Sequence, residues 1–296
     1  MKPRPAKTRI DAHQHFWRFD PRRDTWIDGS MSALRRDFMP QDLALHLRRN
    51  RMDASIAVQA SQSENETRFL LKLANQCPFI VAVVGWTDLC APDLRRRLEY
   101  FSRFEKLRGF RHIVQSEPDD YLSRQTVVRG IASLAEFGFT FDLLVYARQL
   151  PAALDLVNRL PDQRFILDHI AKPAIKTREI AGWAASIRDI ARNPSVCCKI
   201  SGLITEADWT NWRADDFRPY LDVVFEAFGP ERLVFGSDWP VCLLAGTYDQ
   251  VVGLIADYLR GRPPLEQEKI FGSNAARFYA LDTHARGVQR KQGSAA

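Results

Sequence analysis

The sequence predicts an α/β protein of the (β/α)8, or TIM-barrel, class folded as a single domain. Two observations carry this. A short apolar strand, a polar loop and a longer amphipathic segment recur along the whole chain, and eight such units can be counted. No strand is followed by G-x-G-x-x-G or G-x-x-x-x-G-K-[ST], the phosphate-binding turns that support a nucleotide-binding open sheet. Strands alternating with helices make parallel βαβ units, and eight of them close naturally into a barrel. A chain of 296 residues is ordinary for one such barrel, and 46% hydrophobic with 26% charged residues allows a large core.

The strand candidates, in order, are Arg9–His13, Ala54–Gln59, Phe79–Trp86, Arg108–Ile113, Phe139–Tyr146, Arg164–His169, Val196–Ser201 and Leu233–Ser237. The clearest helix candidate is Glu64–Gln76, with Phe69, Leu70, Leu73 and Ala74 at helical spacing. Ser63 and Glu66 form an S-x-x-E capping box at its start. Further helices are expected over Pro92–Phe104, Gln125–Phe137, Gln149–Leu160, Glu179–Ala191, Phe217–Phe228 and Tyr248–Leu259, with a last one over Leu265–Leu281 closing the ring. Pro21–Pro40 reads as an elaborated first loop over the barrel mouth. Residues 1–8 read as a flexible basic tail, 9–283 as the barrel and 284–296 as a flexible C-terminal tail.

The net charge of +6 and pI near 9.2 raise the question of nucleic acid. Much of the excess sits in Lys2–Arg9, Arg95–Arg97 and Arg286–Lys291, which read as tails and solvated helix faces with no recognition motif beside them. A nucleic-acid binder is therefore the remote alternative, and the expected partner is a small molecule. Five cysteines without a C-x-x-C pair read as reduced thiols. Cys197 and Cys198 are adjacent on a strand and should point to opposite faces. With no apolar signal core and no membrane-length apolar run, the expectation is a cytoplasmic protein without a membrane partner. Oligomeric state stays open between monomer and homodimer.

In such a barrel the chemistry is built at the C-terminal ends of the strands. The first strand ends Ile10-Asp11-Ala12-His13-Gln14-His15. His13 and His15, two apart in extended backbone, face the same way. Two imidazoles converging there can bind a divalent metal or polarise a carbonyl oxygen; a lone H-x-H would more often be two unrelated histidines. The last strand ends Gly236-Ser237-Asp238-Trp239-Pro240, and a carboxylate there can be a general base, a metal ligand or both. Its bland alternative is a loop aspartate capping a turn. His169 falls at the end of strand six, on the mouth side by the same alternation as His13. Strand four supplies Arg111 and His112, the latter equally readable as a satisfied core histidine. Lys199 and Ser201 share a face of strand seven, and the roles of these two and of Cys242 are left open.

Taken together, H-x-H on strand one, a histidine on strand six and an aspartate on strand eight resemble the amidohydrolase superfamily. The words "IDAHQHFW", "VQASQSENETRFLL", "VVGWTDL", "RGFRHIVQ", "FILDHIAKP", "KISGL" and "VFGSDWPVC" are similar to its lactonase branch, which includes L-fuconolactonases, L-rhamnono-lactonases and 2-pyrone-4,6-dicarboxylate lactonases. The resemblance runs from about Ile10 to Leu281. It implies a hydrolase that opens a sugar-derived lactone by attack of water on the ester carbonyl, with a metal-dependent decarboxylase or amide hydrolase of the same superfamily as the alternative. In the lactonase reading Asp238 takes the proton from water, and His13, His15 and His169 polarise the carbonyl. Trp17, Trp26, Gln59, Glu64, Trp86, Arg111, His112, Tyr146 and Lys172 lie toward the mouth, where the substrate would be held.

One departure concerns metal. Members that hold metal tightly usually carry a histidine at the end of strand five, where this chain ends Leu144-Val145-Tyr146. The ligand set implied is then His13, His15, His169 and Asp238. The expectation is one divalent ion, such as zinc, weakly held or absent.

Overall fold

The computed structural model describes residues 8–281, so the expected tails lie outside the described residues apart from Thr8. Eight parallel strands follow one another in chain order in a single sheet. They are β1 Ile10–Gln14, β2 Ala54–Val58, β3 Ile80–Gly85, β4 Leu107–Ile113, β5 Thr140–Leu144, β6 Phe165–Leu167, β7 Val196–Ile200 and β8 Leu233–Phe235. The ring closes just beyond β8. There Gln14 bridges Trp239, the His15 N–H donates to the Trp239 carbonyl at 2.7 Å, and the Asp238 N–H donates to the His13 carbonyl at 2.8 Å. This is the predicted (β/α)8 barrel.

The helices are α1 Pro40–Arg49, α2 Glu64–Gln76, α3 Leu94–Phe101, α4 Gln125–Glu136, α5 Leu150–Arg159, α6 Ala181–Ala191, α7 Ala214–Phe228 and α8 Tyr248–Tyr258, then α9 Pro264–Glu268 and α10 Asn274–Phe278. Helix α2 has the expected bounds, and its Ser63 side chain accepts from the Glu66 N–H at 3.1 Å. The sequence reading does not anticipate α1. Its start is built by Pro40 in the first turn and by the Asp42 carboxylate, which accepts the Met39 N–H at 2.8 Å. The single last helix expected over Leu265–Leu281 is also corrected: a π-turn over Lys269–Ser273 separates α9 from α10. The chain passes so close there that a Cβ on Gly272 would sit 2.1 Å from the Thr8 carbonyl oxygen, and a local helical period carries no trace of that contact.

Alternation along the strands makes two apolar layers. Ile10, Ala12, Ile56, Val58, Val84, Ile166 and Val234 fill the barrel interior, capped below by Ala275, Phe278 and Tyr279. The opposite faces, including Phe110, Phe141, Phe165, Leu167, Cys198 and Phe235, pack under the helices. Each fully buried Val, Leu, Ile or Phe among them contributes on the order of 1.5–3 kcal/mol. Cys198 lies in the outer layer and Cys197 packs against the inner one, as adjacent strand residues should. No helix among the described residues is long and apolar enough to cross a membrane.

Six strands end one or two residues earlier than expected, β2 at Val58, β3 at Gly85, β5 at Leu144 and β7 at Ile200 among them, and the other two lead into site residues. β6 stops at Leu167 rather than His169, and β8 at Phe235 rather than Ser237. In each case the chain enters left-handed backbone, with φ of 52° at His169 and 56° at Asp238, a conformation that cannot continue a ladder.

Candidate active site

His13 reaches the mouth through an irregularity in β1. Ile10 and Ala12 belong to the interior layer, so plain alternation would turn His13 outward. The register of β1 against β2 shifts between Asp11 and Gln14, and this brings His13 and His15 to one side while Gln14 turns away to donate to Ser55 Oγ at 3.2 Å. Asp11, on the outer side, accepts from the Ser237 N–H at 2.8 Å, the Ser237 hydroxyl at 2.6 Å and the Tyr248 hydroxyl at 3.1 Å. It clamps β1 to the segment that carries Asp238, and burial raises its carboxyl to about 6.

His169 arrives by a different route from the one its sequence position suggests. On β6, Ile166 faces the interior, so extended backbone would send Asp168 inward and His169 outward. Instead His169, Ile170, Ala171 and Lys172 are all left-handed, with φ between 46° and 59°. This turn, held by a 2.8 Å bond from the Lys172 N–H to the His169 carbonyl, brings both Asp168 and His169 to the site. Four consecutive non-glycine residues in this region carry strain of the kind that clusters at functional sites. Gly202 makes room for the ring: at its φ of 60° a Cβ would lie 2.5 Å from His169 Nδ1.

The four central residues converge. The His13 and His15 Nε2 atoms are 3.3 Å apart, and Asp238 Oδ1 lies 3.3 Å from His15 Nε2, 3.7 Å from His13 Nε2 and 3.9 Å from His169 Nε2. All four are buried. Burial alone would raise the Asp238 carboxyl, but His169, His15 and Lys172 outweigh it and hold it below the ordinary range. Burial holds His13 and His169 well below the usual imidazole range; Lys199 and His15 reinforce this at His13, and His13 and Lys172 do so at His169. The site at neutral pH therefore sets the Asp238 carboxylate beside the neutral rings of His13 and His169.

The fit to a cation can be tested on the ring nitrogens. His15 Nδ1 donates to the Val58 carbonyl at 2.7 Å, which leaves its Nε2 as a lone pair. His13 Nδ1 lies between an acceptor, Asp168 Oδ1 at 3.4 Å, and a donor, Lys199 Nζ at 3.3 Å; the Arg111 guanidinium, which can only donate, faces Nε2 at 3.2 Å and favours the lone pair there. His13, His169 and Asp238 offer buried ligand atoms all within 4.8 Å of one another. Ligands about 2.0–2.1 Å from a tetrahedral metal stand roughly 3.3 Å apart, close to the separations among His13, His15 and Asp238. The residues fit a divalent metal.

A second set of groups, below the mouth, was only partly visible in the sequence. The Lys199 ammonium is fully buried, 2.5 Å from Asp142 Oδ2 and 2.9 Å from Asp168 Oδ1, and the Tyr279 hydroxyl donates to Asp142 at 2.8 Å. Burial raises Asp142 to about 6, whereas Asp168 is held well below the carboxylate range because Lys199, His13 and Arg111 outweigh its burial. The sequence reading singled out Lys199 without a role and omitted Asp142 and Asp168. Their signal was present, as charged residues inside apolar strands are costly without partners.

The expected substrate contacts spread widely. Trp26 is 42% exposed beside Trp17, which is buried and donates from Nε1 to the Arg36 carbonyl. Gln59 and Arg111 are buried together at the end of β2 and β4. Trp86 is half-buried and donates to His112 Nδ1 at 3.3 Å; His112 also meets Glu117 at 2.9 Å and stacks on Tyr121, on the other side of β4 from Arg111. Glu64 is engaged by Arg68, Arg97 and Thr87 on the α2–α3 seam. Tyr146 is half-buried under the Arg148 guanidinium. Lys172 pairs with Glu206 at 2.7 Å, and Glu206 with Asp238 raises its ammonium against the effect of burial.

The comparisons with known proteins agree with this architecture. The sequence matches the amidohydrolase family over residues 10–281. It is 44% identical over 285 residues to an L-fucono-1,5-lactonase of Burkholderia multivorans, covering 92% of this chain and 96% of the relative. It is 37% identical over 283 residues to an L-fucono-1,5-lactonase of Burkholderia ambifaria, covering 93% and 96%. A crystal structure of a zinc-bound amidohydrolase from Burkholderia multivorans superposes with a TM-score of 0.89 at 44% identity, covering 93% of this chain and all of that one.

Proposed function

The chain belongs to the amidohydrolase family, and on that premise we propose that it is a hydrolase opening an L-fuconolactone-like aldonolactone to its hydroxy acid. The observation that carries this reading is the 44% identity, over nearly the whole chain, to an L-fucono-1,5-lactonase. The site chemistry supports it independently.

Ester hydrolysis needs an activated water and a stabilised oxyanion. Asp238, held ionised at neutral pH, accepts the proton of the attacking water and later returns it to the departing alkoxide. His169 is the polarising donor. Its Nδ1 lies 2.9 Å from the Ser201 hydroxyl, which can donate as well as accept. When Ser201 donates, His169 carries its proton on Nε2, directed toward Asp238 and the reacting carbonyl. His13 and His15 set the far wall, their orientation held by Asp168 and by the Val58 carbonyl. Lys172 with Glu206, and the half-buried Trp86 and Tyr146, are the proposed partners of the sugar hydroxyls and the ring face.

A zinc ion held by His13, His15, His169 and Asp238 would add Lewis-acid polarisation of the carbonyl. We expect a cytoplasmic enzyme of carbohydrate metabolism that binds no nucleic acid. A panel of sugar γ- and δ-lactones assayed with a pH indicator tests the reading. Opening well above the spontaneous rate is expected; inactivity across the panel together with turnover of an amide or a carboxylated aromatic would overturn it.

A further inference from the structure

The His13 Nε2 lone pair has two claimants. One is the metal, through the ligand set just described. The other is Arg111, whose Nη1 lies 3.2 Å from His13 Nε2. An arginine can only donate, and a single imidazole lone pair cannot accept an N–H and ligate a metal at once.

The guanidinium is not a loose side chain that happens to point this way. It is 4% exposed. Nη1 also donates to Asp168 Oδ2 at 3.1 Å, so its two hydrogens are divided between Asp168 and His13. Nη2 donates to the backbone carbonyl of Gln59 and to its side-chain Oε1 at 3.3 Å. The Gln59 amide returns a bond of 3.2 Å to the Arg111 carbonyl. Position and charge are thus built in from β2, β4 and the end of β6. Below, Lys199 Nζ comes within 3.3 Å of His13 Nδ1, so the ring is flanked by cations on both edges.

We infer that Arg111 is a built-in competitor for the metal position, occupying the His13 Nε2 lone pair and setting how weakly the site holds a divalent ion. The inference rests on the metal-site reading given above. It adds the reason for weak binding: a fixed like charge at hydrogen-bond range, in addition to the lack of a histidine at Tyr146. When zinc enters, the guanidinium must withdraw from Nε2 and keep only Asp168 and Gln59 as partners.

The test is zinc affinity, measured by titration calorimetry and by elemental analysis after dialysis, on the wild-type chain and on Arg111→Gln. The glutamine amide retains a donor for Asp168 while removing the charge. Binding about tenfold or more tighter in Arg111→Gln is expected, since a like charge is removed at close range from a buried site. Equal or weaker binding overturns the inference and leaves the metal site standing. A crystal of the wild-type protein soaked in zinc tests the same idea without a substitution. Zinc on His13 with Arg111 displaced from Nε2 supports it; zinc on His13 with the 3.2 Å contact retained overturns it. If neither chain holds zinc at His13 and Asp238, the metal-site reading fails and takes the inference with it.

Discussion

The backbone N–H of Asp238 donates to the carbonyl of His13 at 2.8 Å, so the bond that closes the barrel also ties the candidate base to the first imidazole. The two residues are far apart in sequence, one on the first strand and the other just beyond the last. Their separation in the site is therefore set by backbone pairing rather than by flexible side chains, which is the kind of support that precise positioning requires.

Replacing Asp238 by asparagine removes the base and keeps the shape. Asparagine also tolerates the left-handed φ of 56° found at this position better than most residues. We expect kcat to fall by roughly 10²–10⁴ with the fold intact. Steady-state kinetics beside a thermal melt checks this, and near-normal kcat would remove Asp238 from the mechanism.

Purified protein is expected to carry substoichiometric zinc, and chelator-treated enzyme to keep a substantial part of its activity. A lactone carbonyl is electrophilic enough for the His169 N–H to assist without a metal. Elemental analysis and rates before and after chelation decide the point. Stoichiometric zinc with activity abolished by chelation and restored by zinc would refute it.

Lys199→Met should be among the most destabilising substitutions in the chain. Among the described residues it leaves Asp142, 0% exposed, with the Tyr279 hydroxyl as its one remaining side-chain partner, and it strips one cation from Asp168. Breaking one side of a buried ion pair typically costs about 3–5 kcal/mol. Urea denaturation measures the loss, and a cost below about 1 kcal/mol would mean that these carboxylates do not depend on the ammonium.

Glu66, half-buried in the first turn of α2, accepts the Ala60 N–H at 2.5 Å, and burial raises its carboxyl from 4.5 to about 7. Between those two values the folded chain retains a proton that the unfolded chain has lost. Its contribution to stability is therefore complete below pH 4.5 and declines as pH rises toward 7. Glu66→Gln should flatten that decline, as followed by denaturant midpoints from pH 4 to 8; an unchanged slope would show that Glu66 titrates alike in both states.

The sequence by itself determined the architecture, the family and the identity of the four central residues. Hydrophobic period and strand-end motifs are local properties, and alternation is reliable where the backbone stays extended and in register, which the shift in β1 between Asp11 and Gln14 already breaks. It failed where the backbone leaves the extended region. His169 is the clear case: its position after β6 suggested strand alternation, but four left-handed residues deliver it. The helix α1 and the π-turn before α10 were missed for a related reason, since capping by Asp42 and the contact of Gly272 with Thr8 depend on where the chain goes next. Only the tertiary structure decided how the charges are shared. Asp142, Asp168, Lys199 and Arg111 come from four different strands or strand ends, and each is tolerable in the interior only because the others are there. Sequence spacing carries no record of such pairing; it exists once the barrel closes, and it turns Arg111 from a presumed substrate contact into a neighbour of His13.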